Sequence, residues 1–336
     1  MVTTLRSWLN AFYTIPKIEE LQHADFVTRW LVAARAAVLI MTVLSAIIGG
    51  LLAASAGHFS WGIFLLTALG LTLAHAASNL MNDFWDSRHG LDTADSFRVT
   101  YGPHPLENGM MNARQLLTGT LVILIVAGLI GAYLTLVGGW FVAVLAVIGG
   151  LVLVLYAGDP LPLKYIGLGE IAVIIVWGPL MIGGTYFLLA GDLPLWVIVA
   201  SLPYALGVTT VLFGKHIDKI DFDTRHRIRT LPIILGERNA RAAVVVMIAL
   251  MYLSTIALVI AGQFSFTLLL VLLALPLAWT TLKVYSQPKP KEPPANYPGW
   301  PLWFVGFAFV HNRRFGSWFV LGLMLQVIFR QILHVG

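Results

Sequence analysis

The chain alternates long apolar stretches with polar segments. Each stretch is about long enough to cross a bilayer as a helix, since roughly 20 residues cover the hydrocarbon core. The strict apolar–polar alternation of membrane β-strands is missing, so the pattern predicts an all-α polytopic membrane protein. Nine spans are predicted: Leu31–Ala54, Trp61–Leu80, Leu116–Leu136, Trp140–Ala157, Ile171–Leu189, Leu195–Phe213, Ala242–Ile260, Phe264–Thr281 and Ser317–Leu333.

The segments between these spans are of two kinds, very short and long. The short ones contain no Lys or Arg. All but two of the 21 Lys and Arg residues lie in the N-terminal segment and the long loops, the exceptions being Arg35 and Arg330. By the positive-inside rule, the N-terminus and the long loops are predicted to be cytoplasmic, with the C-terminus on the opposite side.

The composition supports this interpretation. Hydrophobic residues make up 58% of the chain and charged residues only 11%, whereas a soluble domain carries roughly a quarter charged residues. This excludes a disordered chain, a nucleic-acid-binding protein and an ordinary cytosolic enzyme. With no cysteine, disulfides, thiolate chemistry and Cys-based metal sites are excluded as well. We expect one domain over residues 1–336, embedded in a lipid bilayer.

The first candidate site follows the second predicted span. If that helix continues, Asn79, Asp83 and Asp86 share one face at i, i+4 and i+7, and Asn82 also lies four residues before Asp86. Carboxylates at the end of a membrane helix are costly without partners, and Mg²⁺ prefers such oxygen ligands. The alternative is a solvated helix end; in either case Gly90 can end the helix.

The second candidate site follows the sixth predicted span. Asp218 and Asp221 can share a helix face, whereas Asp223 joins them only if the backbone turns. Lys215 and Arg225 flank them, and such cations bind phosphate oxygens while carboxylates bind metal. A solvated loop that follows the positive-inside rule explains the basic residues but not the acidic cluster.

Three further cytoplasmic segments carry polar residues. Lys164 stands alone in the short Pro/Gly-rich segment Tyr156–Glu170, where it could reach an anion or serve as a topological anchor. The segments Tyr101–Pro105 and His311–Phe315 could cap a site, but turn chemistry and a basic membrane anchor explain them better.

Two acidic clusters with nearby cations, at one membrane face, indicate a metal-bridged diphosphate carried by a lipid. An isoprenoid diphosphate fits, because its head suits the metal site and its tail suits an apolar cavity. Mg²⁺ then neutralises the leaving diphosphate, and a dry aromatic pocket stabilises the allylic cation.

These residues resemble the UbiA superfamily of intramembrane prenyltransferases over almost the whole chain. The segment Asn79–Asp86, followed by Gly90-Leu-Asp92, is similar to the first motif of the branch that prenylates dihydroxynaphthoate in menaquinone synthesis. Arg229–Pro232 with Leu235-Gly236 resembles the sequence after the second motif, and Tyr156–Lys164 resembles the loop between spans four and five.

The resemblance implies particular roles for these residues. Mg²⁺ is the implied cofactor, and a prenyl diphosphate and an aromatic, quinone-precursor-like acceptor are the implied partners, with no nucleic acid. The implied catalytic acids are Asp83, Asp86, Asp218 and Asp221. The implied metal ligands are Asn79, Asp83, Asp86, Asp218, Asp221 and Asp223, and the implied diphosphate-binding residues are Asn79, Lys164, Lys215 and Arg225. The implied fold is a bundle of about nine membrane helices around a central cavity, capped by cytoplasmic loop helices.

The second motif departs from the pattern of the quinone branches. Those branches usually keep two Asp residues four apart, where this chain has Asp218-Lys-Ile-Asp221-Phe-Asp223. Lys215-His216 replaces an Asn-rich approach, and Arg227-Ile228 stands where Gly-Lys is usual. The acceptor end therefore differs from that of the quinone enzymes.

Three functions compete for this sequence. A Mg²⁺-dependent prenyltransferase needs a separate acceptor for the allylic cation. A membrane terpene cyclase of the same superfamily uses the substrate's own double bond and needs no acceptor. A transporter is expected to place ionisable residues near the bilayer midplane, whereas here the acids gather at one face.

Overall fold

The computed structural model describes residues 4–331, except 17, 22–23, 94–95, 296 and 298. Helices dominate and no strand occurs within these limits. The α-helices are α1 (Thr4–Tyr13), α2 (Ile18–Leu21), α3 (Phe26–Ala33), α4 (Ala36–Ser55), α5 (Trp61–Arg88), α6 (Phe97–Tyr101), α7 (Ala113–Gly138), α8 (Trp140–Leu155), α9 (Gly169–Ile175), α10 (Gly184–Ala190), α11 (Leu195–Asp218), α12 (Ile220–Arg225), α13 (Leu231–Leu235), α14 (Glu237–Ile260), α15 (Leu275–Tyr285) and α16 (Trp303–Gln331). The prediction of an all-α polytopic fold is confirmed.

Seven helical segments of the described chain are long and apolar enough to cross a membrane. They are Ala36–Ser55, Trp61–Arg88, Ala113–Gly138, Gly169–Ala190, Leu195–Asp218, Glu237–Ile260 and Phe266–Tyr285. A shorter apolar helix, α8, corresponds to the fourth predicted span. The ninth predicted span, Ser317–Leu333, lies largely in α16, with residues 332–333 outside the described residues. The number of crossings therefore stays a prediction.

Two of the spanning segments are not α-helical throughout. The segment Gly169–Ala190 contains a π-helical stretch, Val176–Gly183, which holds Pro179. Proline cannot donate the backbone hydrogen bond of a regular helix, and π-helical turns occur often beside functional cavities. The segment Phe266–Tyr285 begins as a 3-10 helix over Phe266–Ala274.

The prediction of one continuous span from Leu31 was wrong. The helix breaks between α3 and α4 at Arg35, whose φ of 57° lies in the left-handed region. That conformation is costly for a residue other than glycine and is usually kept only where the surroundings require it. Here it turns the guanidinium group toward α5.

The main hydrophobic core lies on one side of the bundle, where α11 packs against α14 and α16. On the other side, α5 packs against α7, and α7 against α8. The outward faces of α7 and α8 carry exposed apolar side chains such as Leu121, Leu129 and Leu151, which suit contact with lipid. A cavity lies between these two sides.

Candidate active site

The cavity has a volume of about 1000 Å³ and an overwhelmingly apolar lining. Its walls come from α4, α5, α7, α8 and the π-helical stretch around Trp177. Four glycines on α7 and α8 line it: Gly128, Gly131, Gly149 and Gly150. A Cβ atom added at any of these glycines would meet nothing within 4 Å. The lack of side chains at these four positions therefore leaves the cavity wider.

A small polar chamber adjoins one end of this cavity. Arg35, Arg98, Tyr101 and Lys215 line both spaces, so the chamber and the cavity are neighbours that share these four side chains. The other residues that line the chamber are Asn82, Asp86, Asp92, Phe97, Lys219 and Phe222. An elongated molecule with a charged head and an apolar tail matches this shape.

The first acidic motif is part of an unbroken helix. Because α5 runs to Arg88, Asn79, Asp83 and Asp86 lie on one face, as their spacing predicts. Asp83 is fully buried; it accepts a hydrogen bond from Arg35 and lies 3.4 Å (Oδ2) from Nη2 of Arg98. Two guanidinium groups thus neutralise a carboxylate that would otherwise be very costly to bury.

Asp86 has a different cation. Lys164 Nζ lies 2.7 Å from Asp86 Oδ2 and donates to Asn82 Oδ1, also at 2.7 Å. Tyr165 donates its hydroxyl to Asp86. Burial lowers the pKa of Lys164, although the Asp86 carboxylate opposes that shift. Burial and the same carboxylate raise the pKa of Tyr165, so its hydroxyl stays protonated.

The loop after α5 brings a buried, hydrogen-bonded pair, Asp92 and His104, close to Asp83. His104 Nδ1 accepts from the backbone N–H groups of Leu106 and Glu107, both at 3.2 Å. This ring nitrogen is therefore unprotonated, and Nε2 donates to Asp92 Oδ2 at 3.1 Å. One oxygen each from Asp83 and Asp92 and one ring nitrogen of His104 lie within 4.8 Å of one another. Both ring nitrogens of His104 are thus engaged within the protein.

The second acidic motif is divided between two helices. Asp218 ends α11 and accepts from the backbone N–H groups of Phe304 and Val305, each at 3.0 Å. Its third partner is Lys289, with Nζ 3.3 Å from Oδ1. Asp218 thus caps the start of α16 and does not line the chamber, and its role as a metal ligand stays a prediction.

The other residues of the second motif separate as well. Asp221 and Arg225 are exposed on α12, outside the chamber lining, and their contact with metal and diphosphate stays a prediction. Asp223 is fully buried, and Lys219 Nζ lies 2.9 Å from its Oδ1. Burial alone would lower the pKa of Lys219, but the Asp223 carboxylate outweighs it and the pKa is raised. Lys219 therefore stays charged.

The remaining predicted residues lie near the chamber in different ways. Lys215 lines both the chamber and the cavity. Asn79 lies on the α5 face of Asp83, but its side-chain amide donates to the Ala34 carbonyl at 2.9 Å. It therefore holds the end of α3 beside Arg35 rather than lining the chamber.

Sequence reasoning missed several residues that complete the chamber. Arg35 had a signal, since it was one of the two cations outside the cytoplasmic segments. The segment Tyr101–Pro105 was interpreted as a turn, but Tyr101 lines the chamber and His104 holds Asp92. Arg98 and Tyr165 had no distinguishing pattern, because each is a single polar residue in a polar loop.

The fold and the two spaces define an all-helical integral membrane protein with an apolar cavity and a polar chamber beside it. The UbiA prenyltransferase family model matches residues 42–312, and the chain belongs to this family. It is therefore a prenyltransferase.

Two curated relatives and two solved structures are similar to this chain. A 1,4-dihydroxy-2-naphthoate octaprenyltransferase of Bacillus subtilis (strain 168) is 29% identical over 70% of this chain and 73% of its own length. One from Escherichia coli (strain K12) is 30% identical over 63% of this chain and 70% of its own length. A UbiA homologue from Archaeoglobus fulgidus bound to GPP and Mg²⁺ has a TM-score of 0.61 at 14% identity, covering 88% of this chain and 99% of that one. A UbiA homologue from Aeropyrum pernix K1 has a TM-score of 0.61 at 18% identity, covering 88% and 98%.

Proposed function

We propose that the protein is a Mg²⁺-dependent intramembrane prenyltransferase that moves an isoprenoid from its diphosphate to a hydroxylated aromatic acceptor. One observation carries this proposal: the cation-rich chamber adjoins the apolar cavity and shares Arg35, Arg98, Tyr101 and Lys215 with its lining. The diphosphate lies in the chamber and the isoprenoid tail in the cavity. With the long loops cytoplasmic, the chamber faces the cytoplasm.

The chamber supplies both kinds of group that a metal-bound diphosphate needs. The guanidinium groups of Arg35 and Arg98 offer paired N–H donors to phosphate oxygens. Asp86 and Asn82 line the chamber, and Asp83 lies buried on the same helix beside them. Their side-chain oxygens are the hard ligands that Mg²⁺ prefers, so the first motif fits this ion. When bound there, Mg²⁺ stabilises the charge that develops on the leaving diphosphate.

The reaction starts when the allylic C–O bond breaks and its electron pair leaves with the diphosphate. Aromatic side chains on the cavity wall, among them Tyr101, Tyr156 and Trp177, can stabilise the allylic cation through their ring faces. The apolar lining excludes water, which would otherwise capture the cation as an alcohol.

A ring carbon of the acceptor then forms the new C–C bond and loses its proton, which restores the aromatic system. Hydroxyl groups make such a ring electron-rich, so an aromatic hydroxy acid suits this step. Support comes from the similar proteins of B. subtilis and E. coli, whose names give 1,4-dihydroxy-2-naphthoate as the acceptor.

The test uses purified protein in lipid with Mg²⁺ and radiolabelled geranylgeranyl diphosphate, with and without 1,4-dihydroxy-2-naphthoate. The expected result is a labelled prenylated naphthoate that forms only with the acceptor and disappears with EDTA. A labelled hydrocarbon or terpene alcohol without acceptor would instead identify a cyclase. If no diphosphate is released under any condition, the proposal is wrong.

A further inference from the structure

Among the residues that the structure describes, the second-motif side of the chamber lacks a pair of carboxylates for a second metal ion. Both oxygens of Asp218 are bound to the backbone of α16, and Asp221 is exposed. Only Asp223 remains buried near the chamber, and the residue four positions before it is Lys219 rather than an acid. The ammonium group of Lys219 therefore lies beside the Asp223 carboxylate, where a metal ion held between two carboxylates would otherwise lie.

Lys215 adds a second ammonium group one helical turn earlier. It lies on the last turn of α11 and lines the chamber. Within the described part of the chain it forms no hydrogen bond or ion pair with any other residue. An unpaired ammonium group at the junction of a polar chamber and an apolar cavity is costly unless an anion binds there.

The charges around the chamber favour the same conclusion. The lining residues and their ion-pair partners include five cations: Arg35, Arg98, Lys164, Lys215 and Lys219. They include four carboxylates: Asp83, Asp86, Asp92 and Asp223. Counted over the described residues with Lys215 protonated, the chamber therefore carries one excess positive charge. A diphosphate ester with roughly three negative charges and a single divalent cation brings the total to about zero, whereas a second divalent cation leaves an excess of about two.

We propose that Lys215 and Lys219 bind the diphosphate directly in place of a second metal ion, so that the chain uses one divalent cation, held on the first-motif side. This inference rests on the proposed function, because it assumes that a prenyl diphosphate occupies the chamber. The two proposed diphosphate ligands are Lys215, in the last turn of α11, and Lys219, directly after that helix.

The test counts metal ions rather than turnover. Mn²⁺ binding is measured by electron paramagnetic resonance on the full-length protein with an unreactive prenyl thiolodiphosphate. We expect one Mn²⁺ per chain for the natural protein and two for Lys219→Asp, which places a carboxylate four residues before Asp223. The matched control is Lys283→Asp, the same charge change at an exposed position on α15, which is expected to keep one.

The outcomes separate this inference from the proposed function. Two Mn²⁺ in the natural protein would overturn the inference and leave the proposed function standing, and no bound Mn²⁺ would overturn both. A Lys219→Asp variant that still binds one ion would overturn the assignment of Lys219 to the second metal position.

A second measurement guards against a Lys219→Asp variant that does not fold. Inorganic pyrophosphate binding without divalent cations is measured for Lys215→Met and Lys283→Met. Because a hydrogen bond to a charged group contributes about 1.5–3 kcal/mol, Lys215→Met is expected to weaken binding by about 10- to 100-fold. Lys283→Met is expected to bind like the natural protein. Equal affinity for both variants would overturn the role of Lys215.

Discussion

The two acidic motifs, one after the second predicted span and one after the sixth, have similar compositions but different structures. The first lies on α5, which continues unbroken to Arg88, so Asp83 and Asp86 face the same region. The second begins where α11 ends at Asp218, and a new short helix starts at Ile220. Acid spacing predicts a shared face only while one helix continues.

The difference also concerns what each motif has as a partner. The carboxylates of the first motif are paired with cations that converge on one chamber. Of the second motif, Asp218 binds backbone N–H groups outside the chamber and Asp223 binds Lys219 at its edge. Acidic residues that are close in sequence can thus have separate roles: one caps a helix and another forms an ion pair.

The largest effect is expected at the first motif. Asp86→Asn removes the negative charge that binds Lys164 and Tyr165, and it also removes a proposed metal ligand. The value of kcat/KM is therefore expected to fall by about 100- to 1000-fold. Prenyl transfer from radiolabelled substrate measures this. Asp192→Asn, on the short loop before α11, is the control and is expected to keep full activity. Comparable activity of the two variants would remove the functional contrast between the motifs.

The second effect concerns the stability of the fold. Asp218→Ala leaves the N–H groups of Phe304 and Val305 without their acceptor, so the free energy of unfolding is expected to fall by about 1–3 kcal/mol. Unfolding in detergent measures it, with Asp192→Ala as control. Asp218→Asn, which can still accept one of these bonds, is expected to lose less. An unchanged stability of Asp218→Ala would mean that Asp218 does not cap α16.

The third effect is a shift in pH dependence. Because burial lowers the pKa of Lys164, its charge is lost as the pH rises through a value below the ordinary 10.5. As the pH rises, pyrophosphate binding is therefore expected to weaken at a lower pH than it would if Lys164 had the pKa of an ordinary lysine. Lys164→Arg keeps its charge at that pH and is expected to move this alkaline decline upward. Identical pH profiles of the two proteins would contradict the role of Lys164.

The smallest effect is expected at the exposed acid of the second motif. Asp221→Asn is expected to change kcat/KM by less than about threefold, since surface substitutions rarely alter energies by more than about 0.5 kcal/mol. The same transfer assay measures it beside Asp86→Asn. A loss as large as that of Asp86→Asn would mean that Asp221 belongs to the metal site, and that the two motifs do not differ in function.

Much of the fold follows from the sequence, but only two of the predicted site residues, Asp86 and Lys215, line the chamber. Apolar length predicts the spans, and helical spacing predicts the face shared by Asp83 and Asp86, because both depend on local repeats. Arg35 could not be placed, since its position depends on a left-handed residue inside a predicted span. The role of Asp218 depends on residues more than eighty positions away, which no local pattern encodes.

The bond between Asp218 and the start of α16 also bears on how the protein is made. Translation delivers α11 well before α16, because 86 positions separate Asp218 from Phe304. Until α16 has entered the membrane, the carboxylate at the end of α11 has neither of its backbone partners. A chain that stops before residue 303 therefore leaves the Asp218 carboxylate without these two hydrogen bonds.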